Sequence, residues 1–136
     1  MSVVKVDVWS DFVCPFCFLG KRRLERAAEA EGLTLRVTWR SFELDPAAAR
    51  DATESTTEML ARKYRMSAQQ AMQSQRSLAA AAAEEGIDFQ WEKARPVNTF
   101  DAHRLSHLAA ARGLGDAAEE RFMRADRKST RLNSSH

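Results

Sequence analysis

Cys14-Pro15-Phe16-Cys17 holds both cysteines of the chain, and it lies where a strand pattern gives way to a helical one. Before it, Val3-Val4-Lys5-Val6-Asp7-Val8-Trp9 is rich in β-branched residues, with Val4, Val6 and Val8 on one face, and predicts a strand. Ser10-Asp11-Phe12-Val13 is a short connection. After it, a helix is expected from Pro15 to about Glu31, because proline suits a first helical turn and Gly32 is a good C-terminal stop. Leu19, Arg23, Leu24, Ala27 and Ala28 fit one helical face. Leu33-Thr34-Leu35-Arg36-Val37-Thr38-Trp39-Arg40 alternates again and predicts a second strand, continuing through Phe42-Glu43-Leu44 to Asp45-Pro46. A helix of this length between two strands implies a parallel pair with a right-handed crossover. Cys14 is thereby placed at the start of a helix. There its sulfur can meet unpaired backbone amides and the positive end of the helix dipole. Both favour thiolate, so its pKa is expected below the ordinary value of about 8.5. Cys17 is one turn on and shielded by the helix, suited to resolving a mixed disulfide formed at Cys14.

The segment after Pro46 has a different character. Residues 47–56 are small and polar and read as a linker. Ser55-Thr56-Thr57-Glu58 and Ser67-Ala68-Gln69-Gln70 are capping-box patterns, opening helices to about Arg65 and to Glu85, the second closed by Gly86. Ile87-Asp88-Phe89-Gln90-Trp91 is short and extended. A helix from Thr99 to Arg112 follows, with Asn98 as its cap and Gly113 as its stop. A last helix is expected over Asp116 to Ala125. The expected organisation is therefore β-α-β over 1–46 and a helical block over 47–125.

Residues 126–136, Asp126 to His136, fit neither part. They carry one large apolar residue and no amphipathic period, and can be read as the in-frame translation of a sequencing-library adaptor. On that reading the natural protein continues beyond Ala125 with a different sequence. The tail also decides the charge. The whole chain carries a net charge of +2, but without these residues it has 18 basic and 18 acidic side chains. A neutral chain gives no argument for nucleic acid or an anionic membrane as partner. Lys21-Arg22-Arg23, the longest basic run, reads as a solvated helix face. No apolar run nears the roughly 18 residues of a membrane span. The N-terminus has no secretory signal pattern, so the cytoplasm is the expected compartment, where a close cysteine pair is catalytic or metal-binding rather than a structural bridge.

A metal site competes with the redox reading. His103 and His107 are at i and i+4 on a helix, and with Cys14 and Cys17 they would complete a Cys₂His₂ set of zinc type. The spacing gives no compact finger, and each histidine alone reads as a helix-surface or satisfied core residue. Trp9 and Trp39 read as strand packing, and Met59, Met66 and Met72 as helix core. No phosphate loop, carboxylate pair or Ser/His/Asp order stands out.

Ser10 through Glu25, including the CPFC run, resembles the opening of DsbA-like thioredoxin-fold proteins of the FrnE type. Arg40-Ser41-Phe42-Glu43-Leu44-Asp45-Pro46 resembles the same family after its second strand. Arg95-Pro96-Val97-Asn98-Thr99, with Ala102-His103-Arg104-Leu105, is similar to its helical domain. The resemblance runs from residue 3 to about 125. It implies an α/β thioredoxin-like fold with a helical insertion domain and a thiol-disulfide oxidoreductase. Cys14 would be the nucleophile and Cys17 the resolving thiol, with Ser10, Pro15 and Phe16 supporting the site. Substrates would be protein or small-molecule disulfides and thiols, with no resident cofactor or metal and glutathione at most a co-substrate. The related 2-hydroxychromene-2-carboxylate isomerases and kappa-class glutathione transferases generally carry serine in place of the attacking cysteine. Cysteine here favours redox chemistry over a glutathione-dependent isomerase or transferase. The family fold also needs a cis-proline loop and further strands. Pro15, Pro46 and Pro96 fit no such loop, so the C-terminal half of the thioredoxin core is expected to be missing. Val4, Val6, Leu35 and Val37 would then lose cover. At roughly 1.5–3 kcal/mol per buried large apolar side chain, the expected outcome is a poorly folded or aggregating chain.

Overall fold

The computed structural model describes residues 2–51 and 54–127, the last three by backbone only. The elements are β1 (Val3–Ser10), α1 (Pro15–Ala30), β2 (Thr34–Ser41), α2 (Thr56–Tyr64), α3 (Ala68–Glu84), α4 (Phe100–Ala111) and α5 (Gly115–Arg127). The strands pair in parallel, with Val3 opposite Thr34 and Ser10 opposite Ser41. Among the described residues the sheet has these two strands alone, which leaves one edge of each unpaired. The expected tail over 126–136 falls outside the described residues, except that the backbone of Asp126 and Arg127 continues α5 past its expected end. No described helix is long and apolar enough to cross a membrane.

Local chemistry sets most boundaries. Ser55 and Ser67 each accept the N3 amide of their helix, while Glu58 and Gln70 reach back to the cap amide, closing both capping boxes. Gly32 ends α1 at φ 66° and Gly113 ends α4 at φ 74°, backbone that a Cβ disfavours. Two boundaries differ from expectation. β2 stops at Ser41 rather than running to Leu44. β1 has ended by then: Phe42 N–H makes a last bond to the Ser10 carbonyl, and Leu44 N–H is taken by the Asp11 carboxylate. At the start of α4 the cap position belongs to Thr99, not Asn98. Asn98 Oδ1 still accepts the Phe100 N–H, while the Thr99 hydroxyl donates to Asp11 and caps no amide of the helix.

The core lies on the helical side of the sheet. Phe12, Phe18, Leu19, Ala82, Ile87, Phe89, Ala94, Ala102 and Met123 form one buried cluster. It draws on the β1–α1 connection, α1, α3, the irregular 87–94 segment, α4 and α5. Phe12 is fully buried, its ring edge-on to Phe122 at 5.3 Å. Of the strand residues only Ser10 is buried. Trp9, expected to pack, is 63% exposed, whereas Trp39 packs on the core and donates its Nε1–H to Asp116 of α5.

The basic run on α1 is also not a solvated face throughout. Lys21 is buried, with Nζ 2.6 Å from Glu25 and 2.9 Å from Glu120 of α5. Arg22 bridges the same two carboxylates, and Arg23 alone of the three is well exposed. Burial pulls the Lys21 pKa down, but the bonds to Glu25 and Glu120 outweigh it and leave it above the ordinary lysine value. The run straps α1 to α5.

Candidate active site

The carboxyl ends of β1 and β2 carry the site. Ser10 closes β1, its carbonyl accepting from Phe42. Four residues later Cys14 is the N-cap of α1, in extended backbone at φ −90° and ψ 111°, with Pro15 opening the helix. The turn between is fixed by Cys14 N–H donating to the Asp11 carbonyl at 3.2 Å. Cys17 N–H then donates to the Cys14 carbonyl at 3.1 Å, so one helical turn brings the two side chains together. Both cysteines are thiols. The Cys17 thiol is pushed far above its ordinary range, first by its hydrogen bond to the Cys14 sulfur and then by burial. The negative charges of Cys14 and Asp11 add to this, and a backbone hydrogen bond at Asp11 opposes it. Phe16, between them, is 68% exposed. Trp9, Phe42 and Leu44, at the same ends of the strands, are exposed too.

Asp11 was expected only as part of a connection, and it is the most constrained polar group of the site. Its side chain is 2% exposed. Oδ1 accepts from Phe12 N–H at 2.8 Å, Thr99 Oγ1 at 2.6 Å and His103 Nε2 at 3.0 Å. Oδ2 accepts from Leu44 N–H at 2.8 Å. Burial alone would raise this carboxyl, but the His103, Thr99 and Leu44 bonds together hold it below the ordinary value of 3.8. The His103 ring also stacks obliquely on Phe12, centroids 4.7 Å apart. Thus two residues of the helical segment clamp the turn that presents Cys14.

The Cys₂His₂ set does not assemble. His103 points its Nε2 at Asp11, while His107, on the exposed side, meets Ser41 Oγ at 2.9 Å. Sharing a helical face was not enough, since the two rings find separate partners. Among the described residues no group of three or more His, Cys, Asp or Glu is placed to hold a metal ion. Sequence reasoning missed Asp11 and Thr99; of its two readings for a histidine, His103 takes that of a satisfied core residue, with Asp11 as the partner that was not foreseen. The available signal was the i, i+4 pair Thr99 and His103 at the start of a helix, facing a lone acid that follows a strand.

Comparisons with known proteins bear on the family and the fold. The family model for the DSBA-like thioredoxin domain matches residues 5–133. The crystal structure of the probable DsbA oxidoreductase SCO1869 from Streptomyces coelicolor superposes with a TM-score of 0.85 at 40% identity. It covers 95% of this chain, and this chain covers 56% of it. The uncharacterized protein YwbO of Bacillus subtilis (strain 168) is 49% identical over 43 residues, 32% of this chain and 20% of that protein. The chain spans about half of the solved relative and a fifth of the curated one. The fold, the position of the cysteine pair and the match along almost the whole length lead to one assignment: the chain belongs to the DSBA-like thioredoxin domain family.

Proposed function

We propose that the protein is a thiol-disulfide oxidoreductase in which Cys14 attacks and Cys17 resolves. The observation that carries this is the paired thiols at the first turn of α1, with Cys14 at the cap and the Cys17 thiol bonded to its sulfur. In the reducing direction the Cys14 thiolate attacks a substrate disulfide, forms a mixed disulfide and releases one substrate thiolate. Cys17 then loses its proton and attacks the Cys14 sulfur. The intramolecular disulfide forms and the second substrate thiolate leaves. The oxidising direction is the reverse of these steps.

The electrostatics order the two steps. The Cys14 sulfur is the largest influence holding the Cys17 thiol protonated. Once Cys14 is bound in a mixed disulfide it is no longer an anion, and that influence disappears. Cys17 thus ionises more readily after its neighbour has reacted, with burial and the Asp11 charge still opposing it. Pro15 fixes the first turn, and Ser10 ends the strand that carries the connection. Exposed Phe16 offers an apolar contact to substrates, protein or small-molecule thiols and disulfides. The dithiol carries the electrons itself, so the reaction needs no resident cofactor, and glutathione enters as a thiol partner. Cysteine rather than serine at position 14 favours this over a glutathione-dependent isomerase or transferase.

The test is a pair of substitutions assayed on a model disulfide. Cys14→Ser is expected to abolish turnover, and Cys17→Ser to accumulate a covalent adduct visible by mass spectrometry and released by dithiothreitol. Full turnover in Cys14→Ser would overturn the assignment.

A further inference from the structure

Asp11 is the meeting point of four donors and two parts of the fold. Phe12 N–H and Leu44 N–H come from the segments that follow β1 and β2, while Thr99 and His103 come from the start of α4, 88 and 92 residues away. The backbone carbonyl of the same residue accepts Cys14 N–H. All three side chains are about 95% buried or more. A carboxylate in such a place is costly unless each oxygen is satisfied, and a turn fixed through it cannot shift without breaking several of these bonds.

We propose that Thr99 and His103 are positioning residues for the dithiol: by orienting the Asp11 carboxylate and compensating its charge they couple the start of α4 to the Cys14–Cys17 pair and set its redox equilibrium. The proposal rests on the oxidoreductase reading above. Two lines support it besides the hydrogen bonds. The His103 ring stacks on Phe12, so one side chain holds two consecutive residues of the redox turn. The negative charge of Asp11 is also among the influences that keep Cys17 protonated. His103 is faced by Asp11, and Glu119 of α5 lies within electrostatic reach of both His103 and Lys21. An anion near the pair disfavours the thiolate and so favours the disulfide. Donors to that anion moderate its effect.

The direction of each change follows. Asp11→Asn removes the charge, which lowers the thiolate titration midpoint and shifts the equilibrium with glutathione toward the dithiol. His103→Leu removes a donor and leaves the charge less compensated, which moves both readouts the other way. His103→Gln can place an amide donor near the Nε2 position and restores them. The experiment equilibrates the full chain with mixtures of reduced and oxidised glutathione, the dithiol oxidising as one glutathione disulfide becomes two glutathione thiols. Thiols are counted by alkylation, and thiolate is followed by absorbance at 240 nm as pH is raised. A threefold or larger change in the equilibrium constant is expected for Asp11→Asn and His103→Leu, in opposite directions, with His103→Gln near wild type. A purely structural role would lower the unfolding midpoint while leaving both readouts unchanged, and that result in folded Asp11→Asn and His103→Leu overturns the proposal. If those two fail to fold, Thr99→Val removes one of the four donors. It is expected to shift both readouts as His103→Leu does, by less, and unchanged readouts overturn the proposal equally. A wild-type dithiol that glutathione disulfide does not oxidise would overturn the oxidoreductase reading instead, while the thiolate titration would still decide the coupling.

Discussion

Glu119 is an acid in an environment at odds with its charge. It is 2% exposed, Ser106 Oγ donates to its Oε1 at 2.9 Å, and its Oε2 has no partner among the described residues. Burial raises its pKa from 4.5 to about 7, against the Ser106 bond and the nearby charges of His103 and Lys21. The folded state therefore binds this proton more tightly than the unfolded chain. Its contribution to stability is complete below pH 4.5 and is lost as pH rises through about 7, a change of about 3 kcal/mol at most. Glu119→Gln mimics the protonated acid. Urea unfolding at pH 5.5 and 8.5 should show wild type losing stability between the two and the variant losing much less. Equal losses would show that Glu119 does not titrate in this range. Nothing in the sequence marks Glu119 apart from Glu120, which ends half-buried in ion pairs with Lys21, Arg22 and Arg124. Lys21 was misread for the same reason: its partner Glu120 lies 99 residues away, and a local run of basic residues carries no trace of it.

At the scale of elements, the features legible in the sequence are those that act within one turn of chain. Both capping boxes formed as their spacing implied, and Gly32, Gly86 and Gly113 all adopt positive φ just beyond helix ends. Ser67→Ala should cost about 1 kcal/mol by leaving the Gln70 amide without its acceptor. Denaturant unfolding followed by circular dichroism will measure it, and a cost within error of zero would show that water replaces the cap fully. The start of α4 was harder to read. Asn98 and Thr99 are both good caps, and the choice between them was made by Asp11, which draws the Thr99 hydroxyl inward. The end of β2 was misplaced similarly: Phe42-Glu43-Leu44 alternates well enough for a strand, but β1 no longer runs beside it.

For the molecule as a whole, the core sits among the helices, while the sheet, among the described residues, is a two-stranded margin. Val3 and Val4 are 51% and 38% exposed, and Trp9 is more so. Strand edges and apolar faces left this open invite pairing between copies. The chain should therefore self-associate at micromolar concentration, seen as a rising hydrodynamic radius in light scattering, and Val4→Lys should reduce it. A monomer with one sharp thermal transition at all concentrations would show that the helical core is sufficient. The β-α-β order and the helical block were readable because each announces itself by periodicity; the thioredoxin-like fold was implied by the resemblance. That both share one core was not, since the cluster that holds Phe12 with Ala82, Ile87, Ala102 and Met123 draws on residues far apart in the chain.

The burial of Phe12 also bears on time. Its amide is bonded to a sequestered carboxylate and its ring is enclosed by His103 and Phe122, so its proton can meet solvent only when the helical core opens. In deuterium oxide the Phe12 amide should be among the slowest to exchange, while the Trp9 side chain nearby stays in contact with water throughout. The Cys14–Cys17 pair would then sit on the boundary between slow and fast clocks: a solvent-facing Phe16 on a turn whose root opens only with the helical core.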